Sequence, residues 1–290
     1  MTETIEPGGG MQRIGVVGGG LMGSGIAEVS ARVERDVLVV EANAPARDAA
    51  KARIEKSVRR AAERGKILHP DDVLAQVRFA TDLDELADRD LVIEAIVENE
   101  EAKIDLFARL DKIAGPDAIL ASNTSSIPIM KLAVATQRPQ QVLGIHFFNP
   151  VPVLKLVELV PSLMTAEETT ARSRAFVEQG LGKQAILCQD RAGFVVNALL
   201  IPFILSAIRM MESGFATAED IDHGLVLGAA HPQGPLALAD LIGLDTTKAV
   251  AESLYEEFKE PLYAPPPLLA RMVSAGLLGR KTGRGFYTYG

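Results

Sequence analysis

The stretch LGIHFFNPVPVLKLVELV carries two side chains that could exchange and stabilise a proton, His146 and Glu158. Histidine titrates near neutral pH, and a carboxylate that holds one ring nitrogen stabilises the ring once it is protonated. Both residues interrupt apolar runs that are typical of buried strands, so each needs a polar partner. If the two runs pair in one sheet, the pair predicts a general acid/base. The alternative is a structural histidine at a strand end, satisfied by a neighbour.

A glycine-rich segment, GVVGGGLMGSGIAEV, lies between a predicted strand and a predicted helix. Its motif positions are Gly18, Gly20, Leu21, Met22 and Gly23. This GxGxxG spacing provides a tight turn and a helix whose first amides face a pyrophosphate. Glu41 ends the next strand, where a carboxylate binds an adenosine ribose, so we expect NAD as the cofactor. Glu41 should repel the extra phosphate of NADP, and Arg47 moderates that preference. A structural glycine turn and a solvated Glu41 are the alternatives.

Polar side chains also follow two further predicted strands. Glu98 and Lys103 come after the run LVIEAI, and Asn123 and Ser125 come after AILAS. The carboxyl ends of parallel strands meet at one edge of the sheet, which is where open α/β sheets bind ligands. We therefore expect these side chains to lie at the binding cleft. Acids that favour a helix start and an ordinary polar turn are the alternatives.

The elements that must position these residues are predicted strands and helices in alternation up to residue 189. The predicted strands are RIGVVG, DVLVVEA, QVRFA, DLVIEAI, AILASN, VLGIHFF, KLVELV and QAILCQD. Amphipathic segments between many of them indicate an α/β fold with a mostly parallel, Rossmann-type sheet. Consecutive helices follow. We expect Gly214 to end one of them, and Thr217 and Asp245 to act as N-caps. The pattern predicts a dinucleotide-binding domain over residues 1–189 and an all-α C-terminal domain over residues 190–290.

Composition excludes several classes of protein. The chain has 290 residues, of which 48% are hydrophobic, which is enough for two domains with their own cores. Its net charge of −8 argues against a general nucleic-acid binder. No apolar run is long enough for a membrane span, and the start, MTETIEPGGG, lacks the features of a signal peptide. The single cysteine, Cys188, fits a reducing cytoplasm, and we expect no metal site.

Taken together, the motifs resemble the L-3-hydroxyacyl-CoA dehydrogenases, most closely the bacterial single-function 3-hydroxybutyryl-CoA type. The segments that carry the resemblance are GGGLMGSGIA, LVIEAIVENEEAK, ASNTSS, HFFNPVPVLKLVE, GFVVNALL, GLDTT and GRKTGRGFYTY. The resemblance implies NAD-dependent, reversible oxidation of an (S)-3-hydroxyacyl-CoA to a 3-ketoacyl-CoA, an activity of fatty acid metabolism. It also implies a homodimer and a helical domain that closes over the acyl group.

The resemblance further implies roles for individual residues. His146 would be the catalytic acid/base and Glu158 its orienting partner. Ser125 and Asn197 would hydrogen-bond the 3-oxygen of the substrate. Asn149, from the family's HFFNP segment, would help hold the histidine and substrate region.

Other family positions concern the cofactor, and two of them depart from the usual pattern. Glu98, Lys103 and Asn123 match positions that line the cofactor side of the cleft. The family often has arginine where this chain has Ala198, and alanine is more usual at Gly19. Neither departure removes a reacting group.

The segment KARIEKSVRRAAERGK has seven basic and two acidic residues, in a chain that is acidic overall. Coenzyme A carries a pyrophosphate and a 3′-phosphate that need cations. By resemblance, Ser57 and Arg64 lie where relatives hold the CoA nucleotide. We expect phosphate contacts from Arg64 and from one or more of Lys56, Arg59 and Arg60. The alternative is a solvated helix surface.

Two rival classes of protein share parts of this pattern. A non-catalytic NAD-binding protein would have no need of His146, Glu158, Ser125 and Asn197 together, and all four are present. A hydroxyacid or sugar-acid dehydrogenase would have no need of the basic segment. The expected partner is therefore an acyl-CoA thioester, with neither nucleic acid nor membrane.

Overall fold

The computed structural model describes residues 7–290, so most of the start MTETIEPGGG lies outside the described residues. The chain divides into two compact units after Asp190. The Asp190 carboxylate accepts hydrogen bonds at 2.7 Å from the backbone N–H groups of Ile129 and Met130. These contacts tie Asp190 to the first unit, one residue beyond the boundary expected from the pattern.

In the described part of the first unit, eight strands form one sheet. They are β1 (Arg13–Val17), β2 (Asp36–Val40), β3 (Val77–Ala80), β4 (Leu91–Glu94), β5 (Ile119–Ser122), β6 (Val142–Phe147), β7 (Leu156–Pro161) and β8 (Gln184–Leu187). Their order is β3-β2-β1-β4-β5-β6-β7-β8, and only β6 and β7 pair antiparallel. Each strand coincides with a predicted apolar run, so the mostly parallel Rossmann-type sheet is confirmed.

Between residue 7 and Asp190, six α-helices accompany this sheet. They are α1 (Leu21–Ala31), α2 (Ala44–Glu63), α3 (Pro70–Ala75), α4 (Glu100–Ile113), α5 (Ile129–Ala133) and α6 (Glu167–Ala175). Short 3₁₀ or π segments lie at Pro7–Gly10, Leu83–Leu86, Pro139–Gln141 and Phe176–Gly180. Apolar side chains of strands and helices form a common core that includes Ile14, Val39 and Ile54. Burial of the central strands explains why their sequences are unbroken apolar runs.

The second unit is helical, as expected. Its helices are α7 (Val196–Glu212), α8 (Ala218–Ala229), α9 (Pro235–Ile242), α10 (Leu244–Phe258) and α11 (Pro267–Ser274), with a 3₁₀ turn at Arg280–Thr282. Gly214 follows α7 with φ +72°, and Thr217 caps α8 by accepting from the Asp220 N–H. The expected N-cap at Asp245 is wrong, because α10 already begins at Leu244 and the Asp245 carboxylate pairs with Lys281. No helix within residues 7–290 is long and apolar enough to cross a membrane.

Two buried aspartates of the second unit hold its C-terminal residues. Asp240, 1% exposed, accepts from the Phe286 and Tyr287 N–H groups and from the Tyr289 hydroxyl, at 2.9–3.0 Å. Asp222 accepts from the Tyr287 hydroxyl at 2.9 Å. Burial, together with this hydrogen bond and the facing carboxylate, raises the pKa of Tyr287, so the hydroxyl stays a donor.

Candidate active site

The glycine loop lies between β1 and α1, where the strand order reverses from β1 to β4. Gly18 has φ +93°, and a Cβ there would lie 2.7 Å from the backbone oxygen of Ala95. A Cβ on Gly23 would lie 1.7 Å from the Gly18 oxygen, so both positions require glycine. Within residues 7–290, no side chain caps α1 and no atom lies within 4 Å of a Cβ built on Gly20. The loop and the first amides of α1 therefore fit a pyrophosphate.

Glu41 follows β2 directly, and its carboxylate lies on the glycine loop. Its Oε1 accepts a hydrogen bond from the Gly19 N–H at 2.6 Å. A carboxylate at this position fits a ribose hydroxyl. The Arg47 guanidinium points elsewhere, since it pairs with Asp48 at 2.9 Å and lines a groove beside β3.

His146 and Glu158 face each other across the antiparallel pair β6 and β7. The distance from His146 Nδ1 to Glu158 Oε2 is 2.7 Å. The ring is 6% exposed and the carboxylate is fully buried, so each group compensates the lost hydration of the other. The Phe148 ring packs edge-on against the imidazole, with centroids 4.6 Å apart. This geometry fixes the ring orientation and directs Nδ1 to the carboxylate.

Asn123 connects the end of β5 to the end of β6. Its Oδ1 accepts a hydrogen bond from the Phe147 N–H at 2.9 Å, directly after His146. Its backbone N–H donates to the backbone carbonyl oxygen of Glu94 at 2.9 Å. Asn123 therefore holds the backbone beside the histidine.

Glu98 organises the turn that carries Ser125. Its Oε1 accepts from the Ser125 N–H at 3.1 Å, the Ser126 hydroxyl at 2.8 Å and the Thr124 hydroxyl. Its Oε2 pairs with Lys103 Nζ at 2.8 Å. Burial opposes the charged form, but the Lys103 charge and these hydrogen bonds outweigh it and hold the pKa of Glu98 below its ordinary value. The carboxylate is therefore ionised at neutral pH.

Sequence reasoning did not single out Glu94, the last residue of β4, although its side chain is fully buried. Its Oε2 accepts from Ser122 Oγ at 2.6 Å, and its Oε1 lies 2.9 Å from Lys103 Nζ. Lys103 is 1% exposed and also reaches Glu98, so two carboxylates share one buried cation. The available signal was an acid inside the apolar run LVIEAI, the same signal that pointed to Glu158 in KLVELV.

The residues expected to bind the CoA phosphates differ in their contacts. Arg59 pairs with Glu55 at 3.2 Å and Asp71 at 3.3 Å, so its charge is engaged. Ser57, Arg60 and Arg64 follow one another at intervals of three and four residues and lie on one side of the helix. Arg60 and Arg64 are exposed, as a phosphate contact requires.

Two expected site positions remain, one in each unit. Asn149 is exposed, two residues beyond β6. Asn197 is half-buried on the first turn of α7, in the second unit. The Ala198 N–H donates to the Gly193 oxygen at 3.0 Å.

Among residues 7–290, no group of three His, Cys, Asp or Glu side chains could hold a metal ion.

Comparison with known proteins identifies the family. The model of the 3-hydroxyacyl-CoA dehydrogenase NAD binding domain matches residues 13–191, and that of the C-terminal domain matches residues 193–289. The chain belongs to the 3-hydroxyacyl-CoA dehydrogenase family. It is an NAD-dependent oxidoreductase, and the resemblance drawn from its motifs is confirmed.

Similar members of the family extend over nearly the whole chain. A 3-hydroxybutyryl-CoA dehydrogenase of Mycobacterium tuberculosis (strain CDC 1551 / Oshkosh) is 60% identical over 282 residues, 96% of this chain and 99% of the relative. The mitochondrial hydroxyacyl-coenzyme A dehydrogenase of Sus scrofa is 42% identical, over 96% and 91% of the two chains. The crystal structure of an (S)-3-hydroxybutyryl-CoA dehydrogenase from Ralstonia eutropha has a TM-score of 0.92 and 45% identity, over 97% and 99%.

Proposed function

We propose that the chain catalyses reversible, NAD-dependent oxidation of (S)-3-hydroxyacyl-CoA thioesters to 3-ketoacyl-CoA thioesters, with 3-hydroxybutyryl-CoA as its substrate. The observation that carries this proposal is the buried pair of His146 and Glu158, 2.7 Å apart. The pair stands at the carboxyl edge of the sheet that also bears the glycine loop. Relatives named as 3-hydroxybutyryl-CoA dehydrogenases support the choice of substrate.

The proton of the substrate hydroxyl is assigned to Nε2 of His146, because Nδ1 is held by Glu158. NAD, when bound, supplies the acceptor for the hydride that leaves C3 in the same step. The Glu158 carboxylate stabilises the imidazolium as it forms. In the reverse direction, the imidazolium returns its proton to the ketone oxygen. Proton transfer positioned in this way contributes about 10²–10⁴ in rate.

Ser125 and Asn197 are assigned to the 3-oxygen of the substrate. Glu98 accepts from the Ser125 backbone, which fixes the position of this serine on its turn. Asn197 is assigned from its family position alone. The cofactor is assigned to Gly18, Gly20, Leu21, Met22, Gly23 and Glu41, with Glu98, Lys103 and Asn123 on the same side of the cleft.

The CoA phosphates are assigned to Ser57, Arg60 and Arg64. Replacing Arg60 and Arg64 with Ala should raise KM for acetoacetyl-CoA several-fold, and more at low salt, because exposed charges are less screened there. The kcat with a short acetoacetyl-pantetheine analogue should stay near wild type. Arg59→Ala is the matched control, since Arg59 is paired with acids on its own surface. Equal effects on both substrates would contradict the assignment of Arg60 and Arg64 to the CoA phosphates.

The second unit is assigned to closure over the acyl group and to homodimer formation. Support for the dimer comes from the family and from exposed apolar side chains of this unit, among them Leu199, Phe215 and Leu227. Light scattering coupled to size-exclusion chromatography should give twice the mass of one chain.

We place the enzyme in the cytoplasm, where its single cysteine would stay reduced.

Initial rates of NADH oxidation test the proposed reaction directly. Acetoacetyl-CoA should be reduced faster than longer 3-ketoacyl-CoA thioesters at equal concentration. Free acetoacetate should react far more slowly, because it lacks the group that the basic helix would bind. Comparable rates with free acetoacetate would favour a hydroxyacid dehydrogenase instead.

A further inference from the structure

Arg53 is a basic residue of α2 that reaches the glycine loop. Its guanidinium donates a hydrogen bond to the Gly19 carbonyl oxygen across 34 positions of sequence. The N–H of the same glycine donates to Glu41. The backbone of Gly19 is thus flanked by a carboxylate on one side and a guanidinium on the other.

The close approach of α2 to the loop explains this contact. A Cβ on Gly19 would lie 2.3 Å from the Cβ of Ala50, which is fully buried. Only glycine at position 19 lets Ala50 pack there. Arg53 follows Ala50 by three residues and therefore lies on the same face of the helix. Asn43 fixes the start of α2 by accepting from the Ala46 N–H at 3.0 Å.

Arg47 does not occupy this position. Its guanidinium pairs with Asp48, and it lines a groove together with Lys51 and Arg78. In the described part of the chain, no carboxylate forms an ion pair with Arg53, and its side chain is exposed. The positive charge beside Glu41 on the loop is therefore that of Arg53.

We propose that Arg53 is a residue that influences the choice between NAD and NADP. Its guanidinium would bind the extra phosphate that NADP carries on the adenosine ribose. A guanidinium has five N–H donors and binds phosphate in a planar, bidentate manner. Glu41 repels the same phosphate, and in the wild type this repulsion prevails. Removing the Glu41 charge would expose a phosphate site formed by Arg53 beside Gly19.

The test compares binding of two probes that lack nicotinamide, adenosine 2′,5′-bisphosphate and AMP, by isothermal titration calorimetry. Glu41→Gln removes the ribose contact as well as the charge, so the quantity to follow is the affinity for the bisphosphate relative to AMP, which should rise about tenfold, the size of one charge-assisted hydrogen bond. Adding Arg53→Gln should cancel that gain. Adding Arg47→Gln, the matched control, should preserve it.

Fluorescence titrations with NADPH and NADH should rank the variants, by their affinity for NADPH relative to NADH, in the same order as the bisphosphate and AMP do. The proposal is overturned if Glu41→Gln gives no gain, if Arg47→Gln removes the gain, or if Arg53→Gln leaves it intact. An equal loss of affinity for AMP and for the bisphosphate in the Arg53→Gln variants would make Arg53 a purely structural residue, which also overturns it. Circular dichroism of each variant establishes that the fold is retained.

Discussion

Two buried carboxylates face different partners at the same edge of the sheet. Glu158 in β7 and Glu94 in β4 are both fully buried inside apolar strands. Glu158 faces the imidazole of His146, the group assigned to proton transfer. Glu94 faces the Lys103 ammonium and the Ser122 hydroxyl.

The partner therefore decides what a buried carboxylate does. A carboxylate beside an imidazole can stabilise a charge that appears only during reaction, which is a contribution to rate. A carboxylate beside a lysine forms a permanent pair, and its value lies in the elements it connects. Glu94 links β4 to α4 through Lys103 and to β5 through Ser122.

Replacement of His146 gives the largest expected effect in this comparison. His146→Gln keeps a polar side chain near Glu158 but cannot accept the proton, so kcat should fall by about 10³. NADH affinity, measured by fluorescence titration, should stay near wild type, because the glycine loop is untouched. Turnover within threefold of the wild type would contradict the catalytic assignment.

Glu158→Gln should have the next largest effect, a fall in kcat of about 10². The amide can still hydrogen-bond the ring, but the charge that stabilises the imidazolium is gone. Ketone reduction needs the imidazolium, so its pH profile should move toward lower pH. Steady-state rates across a pH series check this, and an unshifted profile would mean that Glu158 does not act through the ring.

Glu94→Gln should lower kcat about tenfold, the effect expected for one lost buried charge contact that positions other groups. Lys103 keeps Glu98 as its partner, so the protein should fold. Unlike Glu158→Gln, this change should leave the shape of the pH profile intact, because Lys103 and Ser122, which Glu94 contacts, have no assigned part in the proton transfer. A pH profile that shifts as in Glu158→Gln would erase the distinction between the two carboxylates.

Glu98→Gln should give the smallest effect, seen in stability against pH. The pKa of Glu98 is lower in the folded state, so its ionised form stabilises the fold above the ordinary glutamate value. That contribution should disappear as the pH falls through the lower folded-state pKa. Urea unfolding should therefore show a gap between wild type and variant at neutral pH that closes in acid. A constant gap would mean that the charge of Glu98 does not matter.

Local signals in the sequence were enough to locate the strands, the glycine loop and the facing pair of His146 and Glu158. They were not enough for contacts that depend on how helices pack. Arg53 reaches Gly19 only because α2 lies close to the loop, which no periodicity reveals. The cap expected at Asp245 failed for a similar reason, since Lys281 pairs with that carboxylate from 36 positions away.

The hydrogen bonds of Asp222 and Asp240 anchor Phe286 and Tyr287 to the buried carboxylates of the helical unit. Chain ends are usually the first segments to open, but here the amide protons of Phe286 and Tyr287 should exchange slowly with deuterated solvent. A protein shortened by residues 286–290 would leave both buried carboxylates without these donors. Such a protein should be degraded quickly in cells.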